Sequence, residues 1–324
     1  MYDIISIGSA TGDVLLKSKG ITVAKSDTAP TGMEQRMPLG SKLEIDQITF
    51  SSGGGGANAS VTFARQGLKT ACIAVVGDDV QGRAVVDLLN REGVDTSYIQ
   101  HHNDNITAYS VVVVADNGER TILSYKGEGY HFDMLKVPLS TLQARWLYLN
   151  SLGGHYDLLE AAVKWAVTNN VKLATNPGGK ELAHGLAKLE PLLKQFAIVM
   201  MNQEEAAQLL NIPYKQEEKI FQAMDTVIDG IFVMTKGPQG VMVSDGTHIY
   251  RAGVPGSPVV ERTGAGDAFN SGFVAEIARS GDIVKAIQLA TANASSVVAQ
   301  FGATAGILKQ GDMGPWPLVE VSQK

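Results

Sequence analysis

The stretch "ERTGAGDAFNSGF", residues 261–273, decides how the rest of the chain is interpreted. It places a Gly-Ala-Gly turn directly before a segment that reads as an amphipathic helix. Glycine is costly in backbone entropy, so it usually stands where a side chain would obstruct something. The turn also exposes backbone N–H groups that no carbonyl of the helix satisfies, and the helix dipole adds positive potential there. We therefore expect Gly264, Ala265 and Gly266 to form an anion-binding turn.

Asp267 stands in the first turn of this predicted helix and can point at the same anion. A carboxylate repels a phosphate, so its presence there needs a chemical reason. Accepting the proton of an attacking hydroxyl is such a reason, and the combination indicates phosphoryl transfer. The alternative is an ordinary aspartate that stabilises a helix N-terminus after a glycine turn.

Around this motif, short apolar runs alternate with helical patterns along the chain. The runs extend from residues 4–7 to 241–244, and the helical patterns from 57–65 to 283–300. Several runs are continuously apolar, which is typical of strands covered on both faces. The alternation predicts an α/β fold with a mainly parallel central sheet and helices on both sides. Such sheets bind ligands beyond the C-terminal ends of their strands.

Two segments interrupt this alternation, at about residues 17–52 and 107–130. The second alternates around "ADNGE", residues 115–119, and Asn-Gly readily supplies the tight turn of a β-hairpin. We expect one domain over residues 1–324 in which the two insertions form a small β lid; the alternative is surface decoration. Pairing two lids would bury exposed sheet edges, so we expect a homodimer through the lid.

The composition sets limits on partners. The chain has 324 residues, 44% of them hydrophobic, which is enough for a sizeable core. A net charge of −6 and scattered basic residues exclude a nucleic-acid or anionic-membrane footprint. The single cysteine, Cys72, lies in an apolar run and is expected to be a buried thiol. No signal-like N-terminal segment and no apolar run of about 18 residues is present, so we expect a soluble cytoplasmic protein.

The motif at residues 261–269 resembles one in the PfkB, or ribokinase-like, family of carbohydrate and nucleoside kinases. The family motif reads Asp-Thr-x-Gly-Ala-Gly-Asp-x-Phe. The matching residues here are Thr263, Gly264, Ala265, Gly266, Asp267 and Phe269. The resemblance covers nearly the whole chain. It implies a ribokinase-like three-layer sandwich and an ATP-dependent kinase, with Asp267 as general base and the Gly264 to Gly266 amides as anion hole.

Two further motifs resemble the family's sugar-binding residues. "IGSATGDV" places Asp13 just past the opening strand, where the family uses an aspartate to bind two hydroxyls. A carboxylate accepts hydrogen bonds from a vicinal diol, although a lone aspartate is more often a loop or cap residue. "SSGGGGANAS" resembles the Gly-Gly-x-x-x-Asn motif and provides Gly54, Gly55 and Asn58. Ribokinase itself carries a lysine where Gly55 stands, so ribose is not assured.

The resemblance also indicates residues that bind nucleotide and magnesium. "MNQEEAAQLL" contains Asn202 and Glu205, which in the family organise Mg²⁺ and its water near the phosphates; alone they read as a helix cap and a solvated acid. "VMTKGPQGV" places Thr235, Lys236 and Gly237 at the ATP phosphates; alone it reads as a hairpin turn.

One helix and one candidate cation site complete the set. Asn293 lies on the helix that lines the adenine pocket in the family. Many members also bind a monovalent cation beside the anion hole. Here the corresponding side chains are Glu261 and Thr263, and the candidate carbonyl donors belong to Val297, Gln300 and Gly302. Glutamate in place of aspartate lengthens the arm, so K⁺ is a candidate cofactor beside ATP and Mg²⁺.

The sequence favours an unphosphorylated sugar or sugar acid as substrate, because the lid segment is polar and "ATNPGGKEL" resembles the sugar branch. A nucleoside kinase and a sugar-phosphate kinase of the same family are the alternatives. A non-catalytic sugar-binding regulator is a remote one, since the base and the anion turn are both present. A dinucleotide-binding dehydrogenase is excluded because no Gly-x-Gly-x-x-Gly follows the first strand.

Overall fold

The computed structural model describes residues 1–29, 32–103, 106–115, 120–127 and 131–324. Within them the strands are β1 Tyr2–Ile7, β2 Thr11–Lys17, β3 Thr22–Lys25, β4 Met33–Arg36, β5 Gln47–Gly53, β6 Thr70–Ile73, β7 Val75–Gly77, β8 Gln100–His102, β9 Tyr109–Val114, β10 Arg120–Tyr125, β11 Ala144–Leu149, β12 Lys172–Thr175, β13 Ile198–Asn202, β14 Ile231–Thr235, β15 Val241–Ser244, β16 Ile249–Ala252 and β17 Val321–Gln323. The helices are α1 Gly55–Arg65, α2 Val80–Arg91, α3 Tyr156–Thr168, α4 Gly179–Leu182, α5 Leu186–Leu193, α6 Gln203–Leu210, α7 Glu217–Asp225, α8 Ala265–Ser280 and α9 Ile283–Val298.

The central sheet confirms the predicted architecture. Its strand order is β17-β16-β15-β14-β13-β12-β11-β1-β6. The six strands from β14 to β6 run parallel, whereas β15, β16 and β17 are antiparallel additions at one edge. Parallel strands leave their C-terminal ends along a common edge, which is where ligand sites form in such sheets.

Helices cover both faces of this sheet, so the fold has three layers. Neighbouring residues of β1 separate to opposite sides, with Ile5 in one core cluster and Ile4 in the other. The Ile5 side packs against α3, α5, α6 and α7, and the Ile4 side against α1, α8 and α9. Burial on both faces explains why the strands are continuously apolar. None of the helices in the described part combines the length and hydropathy that a bilayer-spanning segment needs.

The lid is a separate four-stranded sheet with the order β10-β9-β2-β5. Its first strand begins at Thr11, before the lid boundary predicted at about residue 17. Asp13 is consequently a strand residue that pairs with Ser51 and Ser110, not a residue of a loop after the opening strand. The extended chain of β2 supplies backbone groups that both β5 and β9 pair with, which the sequence pattern did not show. The predicted Asn-Gly turn lies at residues 116–119, outside the described residues.

Candidate active site

The Gly-Ala-Gly turn begins α8 and separates two cavities. Gly264 is the N-cap residue of α8, with φ of 79°, and a Cβ there would lie 2.6 Å from the Cβ of Ala303. Both its backbone conformation and the space around it therefore require glycine. Gly264 and Asp267 line one cavity of about 260 Å³, and Ala265 and Gly266 line a second of about 400 Å³. The N–H groups of the first turn thus lie between two cavities, and that of Ala265 makes only a long hydrogen bond of 3.4 Å, to the carbonyl of Arg262.

Two carboxamides hold the carboxylate of Asp267. Asn58 Nδ2 donates to Asp267 Oδ2 at 2.8 Å, and Asn150 Nδ2 donates to Asp267 Oδ1 at 3.4 Å. Burial raises the pKa of Asp267 above its ordinary value, and these two hydrogen bonds oppose the shift because they stabilise the charged form. Such a carboxylate can accept a proton from a hydroxyl that enters the 260 Å³ cavity.

Asn150 is a residue of the site that the sequence motifs did not reveal. It immediately follows β11, and its buried side chain lines the same cavity as Asp13 and Asp267. The available signal was its position, a polar residue at the C-terminal end of a continuously apolar strand. That position alone does not show which ligand or side chain it contacts.

Asp13 reaches this cavity from the lid. It is buried, and the desolvation of its carboxylate raises its pKa to about 6. Hydrogen bonds from Ser110 and Thr11 lower that pKa, and the negative charges of Glu261 and Asp267 raise it. The structure therefore brings Asp13 together with Asp267 on the walls of one small polar cavity.

The glycine run around Gly54 makes room for these side chains. A Cβ on Gly53 would overlap the Asp13 carboxylate, and a Cβ on Gly55 would overlap the carboxamide of Asn150. Gly54 and Gly55 line the 260 Å³ cavity. The absence of a side chain at position 55 is thus coupled to the presence of Asn150.

The 400 Å³ cavity on the other side of the turn is mainly apolar. Val254, Val259, Phe269, Ala294 and Val298 contribute to its walls. An apolar cavity beside an anion-binding turn suits a planar ring attached to phosphates. Thr235 and Gly237, predicted at the nucleotide, line it as well.

The helix that carries Asn293 lines this cavity, but the side chain of Asn293 does not. Asn293 is fully buried, and its carboxamide bonds the carbonyl of Ala268 at 2.8 Å and the N–H of Leu308 at 2.8 Å. It joins α9 to α8 and to a later loop, because its position on the helix faces the protein interior. Ala294 and Ser295, next to it on α9, are the residues that face the cavity.

Asn202, one of the two residues predicted to hold magnesium, lines an adjoining groove of about 860 Å³ together with Thr235 and Lys236. Asn202 Oδ1 accepts from Glu205 N–H at 2.8 Å and Glu205 Oε2 accepts from Asn202 N–H at 2.9 Å, so the two residues cap α6. Burial raises the pKa of Glu205. The cap leaves Glu205 Oε1 outside these two bonds, and a carboxylate oxygen there fits Mg²⁺ held through its water shell.

Lys236 does not contribute an isolated positive charge. Its Nζ lies 2.8 Å from Oε1 of Glu217, the first residue of α7. The negative charge of Glu217 offsets the positive charge that Lys236 would bring to the ATP phosphates. The same ion pair joins the turn after β14 to α7.

The residues predicted to bind a monovalent cation are partly assembled. Glu261 is fully buried; its Oε2 accepts from Thr263 N–H at 2.8 Å, whereas its Oε1 and the Thr263 Oγ1 are buried without a hydrogen-bond partner. Two buried, unpaired oxygens in one short loop suit a cation. The C-terminal end of α9 contacts the loop that carries Glu261, since the N–H of Glu261 donates to the carbonyl of Val298. The Val297 carbonyl accepts from Gln300 N–H at 3.1 Å.

Gly302, the third predicted carbonyl donor, has φ of 101° and lies near Ser51 of the lid. No carbonyl of Val297, Gln300 or Gly302 is seen bonded to Glu261 or Thr263 among the residues described. Among all the residues that the structure describes, no group of three or more His, Cys, Asp or Glu side chains is placed to hold a metal. A cation here would be held by the single carboxylate of Glu261 together with neutral oxygens.

Comparison with known proteins agrees with this arrangement. The model of the pfkB family of carbohydrate kinases matches residues 3–310. Ribokinase from Haemophilus influenzae is 29% identical over 279 residues, which cover 83% of this chain and 88% of that protein. Adenosine kinase from Sinorhizobium meliloti has the same fold, with a TM-score of 0.76, 21% identity and coverage of 93% and 95% of the two chains.

A structure from Escherichia coli described as a Ribokinase II, in complex with ATP and Mg²⁺, also shares the fold, with a TM-score of 0.77, 18% identity and coverage of 95% and 96%. The fold and the two cavities define a ribokinase-like phosphotransferase that acts on a hydroxyl group. The chain belongs to the pfkB family of carbohydrate kinases.

Proposed function

We propose that this protein transfers the γ-phosphoryl group of ATP to a hydroxyl of a small sugar or sugar acid, with Asp267 as general base. The observation that carries the proposal is the position of the turn from Gly264 to Gly266 between the two cavities, with Asp267 opening onto the smaller one. A hydroxyl bound beside Asp267 and a phosphate at the turn would face one another across it.

In the proposed reaction the hydroxyl oxygen bonds to the γ-phosphorus as the bond from phosphorus to the β–γ bridging oxygen breaks, and ADP leaves. The hydroxyl proton passes to Asp267. The amides of Gly264, Ala265 and Gly266 stabilise charge on the transferring group. Mg²⁺ held near Asn202 and Glu205 would neutralise charge on the phosphate oxygens. Closure of the lid strand carrying Asp13 would exclude water and so limit ATP hydrolysis.

The smaller cavity supports a polyol as the acceptor. Asp13, Ser110, Ser124 and Asn58 line it and offer hydrogen-bond partners to several hydroxyls. Its two carboxylates, Asp13 and Asp267, outnumber the single basic side chain that lines it, that of Lys126. That charge balance disfavours a phosphorylated substrate and places a sugar acid below a neutral sugar.

A nucleoside is the second candidate acceptor. Val112 and Ile122 form an apolar part of the wall and Tyr125 an aromatic part, which could cover a base. An adenosine kinase shares the fold. The discriminating assay follows ATP or ADP consumption with ribose, fructose, 2-keto-3-deoxygluconate, adenosine, cytidine and ribose 1-phosphate as acceptors. Turnover with adenosine or cytidine but with none of the sugars would replace the sugar assignment.

The test of the base is Asp267→Asn. We expect kcat to fall by roughly 10²- to 10⁴-fold with ATP affinity nearly unchanged. The matched control is Asp157→Asn, which alters an exposed aspartate in the first turn of α3. Equal turnover of the two variants on a verified substrate would mean that Asp267 only stabilises its helix.

We also propose that two copies pair through their lids. One face of the lid sheet carries Asp13, Ser110 and Ser124 towards the cavity, and the other carries Phe50 and Leu123 to solvent, 69% and 56% exposed. Exposed apolar side chains on β5 and β10, the two edge strands of this sheet, suit a second copy. Sedimentation should give a dimer for the native protein and a monomer for Phe50→Glu; a native monomer at micromolar concentration excludes the pairing.

A further inference from the structure

Glu181 is a buried carboxylate that the proposed reaction does not use. Its side chain is 2% exposed and accepts four hydrogen bonds. No ion pair of Glu181 with a basic side chain is found in the described ranges. A buried charge is costly, so such a residue is retained where its bonds organise something.

Most of the bonds to Glu181 lead away from its own helix. Oε1 accepts from the N–H groups of Leu152 at 2.9 Å and Gly154 at 2.6 Å, and Oε2 accepts from Ser151 Oγ at 3.1 Å. One bond, from Gly178 N–H at 2.9 Å, belongs to the cap of α4, a helix of four residues. Three of four bonds therefore fix the loop after β11.

That loop begins with Asn150, one of the two amides on Asp267. The N–H of Ser151 donates to Asn150 Oδ1 at 2.7 Å, so the amide nitrogen is the atom that faces Asp267. The same carboxamide fills the space beside Gly55. Asn150 is thus wedged between Gly55 and Asp267, and its contact depends on where the loop lies.

The two amides differ in how they are supported. Asn58 lies in the first turns of α1, so the backbone of that helix fixes its position. Asn150 lies at the start of a loop. A loop residue needs bracing if its contact is to persist. Displacements of about 1 Å at a reacting group can lower rates by about 10²-fold.

We propose that Glu181 is a positioning residue for the general base, acting through Ser151 and Asn150. This inference rests on the proposed function, because it concerns how Asp267 is held. Glu181 itself does not line the cavity that contains Asp13 and Asp267. Its effect should therefore fall on the chemical step more than on substrate binding.

The test compares Glu181→Gln with Asn150→Ala and the double variant. We expect Glu181→Gln to lower kcat by about 10-fold and to change the KM for the sugar by less than about threefold. The double variant should be no slower than Asn150→Ala, because both changes remove the same contact. Glu190→Gln, a half-exposed acid of α5 paired with Lys194, is the control and should match the native enzyme.

A pH profile separates positioning from a loss of stability. Removing an amide donor from the Asp267 carboxylate raises the pKa of that group, so the acid limb of kcat should move to higher pH by the same amount in Glu181→Gln and Asn150→Ala. Asn58, Asp13 and Tyr148 also act on Asp267 and are unchanged in both variants. A destabilised enzyme with a correctly held base would keep the native profile.

Ser151→Ala provides a milder variant should Glu181→Gln fail to fold. It removes one of the three bonds between Glu181 and the loop and should give a smaller shift in the same direction. An unchanged profile and rate in Ser151→Ala and Glu181→Gln, or losses that multiply in the double variant, would overturn the inference. If Asp267→Asn retains turnover, the proposed function fails; if it is inactive while Glu181→Gln is native-like, only this inference fails.

Discussion

Asn58 and Asp267, 209 positions apart in the chain, are joined by a 2.8 Å hydrogen bond from Nδ2 to Oδ2. One belongs to the first turns of α1, within the glycine-rich motif, and the other to the first turn of α8. The bond holds the predicted base at the point where those two helices meet. The two motifs therefore form one site, in which Asn58 of the first holds Asp267 of the second.

Asn58→Ala tests this bond. The amide stabilises the charged carboxylate, so its loss should raise the pKa of Asp267 and move the acid limb of kcat to higher pH. The measurement is a rate profile from pH 5 to 9. Asn270→Ala is the matched control, since Asn270 is also a buried asparagine with an unpaired Oδ1. A shift in the control but none in Asn58→Ala would contradict the role of the bond.

The raised pKa of Asp13, about 6, predicts a pH-dependent affinity for the sugar. Below that pH the carboxyl is protonated and can no longer accept two hydroxyl hydrogen bonds. The KM for the sugar should rise by about tenfold between pH 7 and pH 5. In Asp13→Asn the KM should be high and nearly independent of pH over this interval. A flat KM in the native enzyme excludes Asp13 as an ionised ligand.

The same shift predicts that Asp13→Asn stabilises the protein. The pKa of Asp13 is 3.8 in a solvated chain and about 6 when folded, so the folded state holds the proton more tightly. Stability from this group is fully present below about pH 4 and is lost as pH rises through 6. At pH 7 the charged form costs about 2–3 kcal/mol of unfolding free energy. Urea unfolding should show Asp13→Asn to be more stable at pH 7 and no more stable at pH 4.

How much of this site is visible in the sequence depends on how local its parts are. The anion turn and Asp267 are contiguous, so their spacing alone predicted a turn followed by a helix. Asn150 is a single polar residue after a strand, and its partner lies more than a hundred positions away. Asn293 lies on the predicted helix, yet a turn of about 100° per residue decides whether it faces the cavity or the interior.

The two segments that interrupt the alternation of strands and helices predicted the lid, but they did not predict its first strand. Residues Thr11–Lys17 pair with two strands distant in sequence, and the short run "TGDVLLK" has no alternation that would indicate such a sheet. Glu181 was similarly hidden, because its four donors come from two loops. Long-range hydrogen bonds of this kind leave no periodic trace in a single sequence.

Gly266→Ala should have opposite effects on folding and on nucleotide binding: it should raise the melting temperature and weaken the binding of ATP. A Cβ at Gly266 meets nothing within 4 Å, and the residue lies in the first turn of α8 on the wall of the apolar cavity. Alanine favours a helix over glycine by about 0.5–1 kcal/mol, so the variant should melt at a higher temperature. The KM for ATP should rise because the methyl group occupies space that a phosphate approaches.

Gly179→Ala is the control for this substitution. Gly179 is also in the first turn of a helix, also has open space at its Cβ, and lies outside both cavities. It should gain stability without a change in the KM for ATP. Equal KM values for the two variants would mean that no phosphate approaches Gly266.

The unpaired oxygens of Glu261 and Thr263 predict a response to monovalent cations that can be measured without turnover. Both atoms are buried and lack a partner, so a cation that satisfies them should stabilise the folded state. At constant ionic strength, KCl should raise the melting temperature by about 1–2 °C over tetramethylammonium chloride, an effect of about 1 kcal/mol. In the same salts kcat should be higher with K⁺, because the site adjoins the anion turn.

Glu261→Gln gives this prediction its sharpest form. The uncharged amide no longer needs a cation, so in tetramethylammonium the variant should melt at or above the native temperature, and KCl should add nothing. Thr263→Val, which keeps the carboxylate and removes one oxygen, should retain part of the K⁺ response. Identical melting curves and rates of the native protein in the two salts would show that the buried Oε1 of Glu261 remains unpaired and that the family's cation site is not functional in this chain.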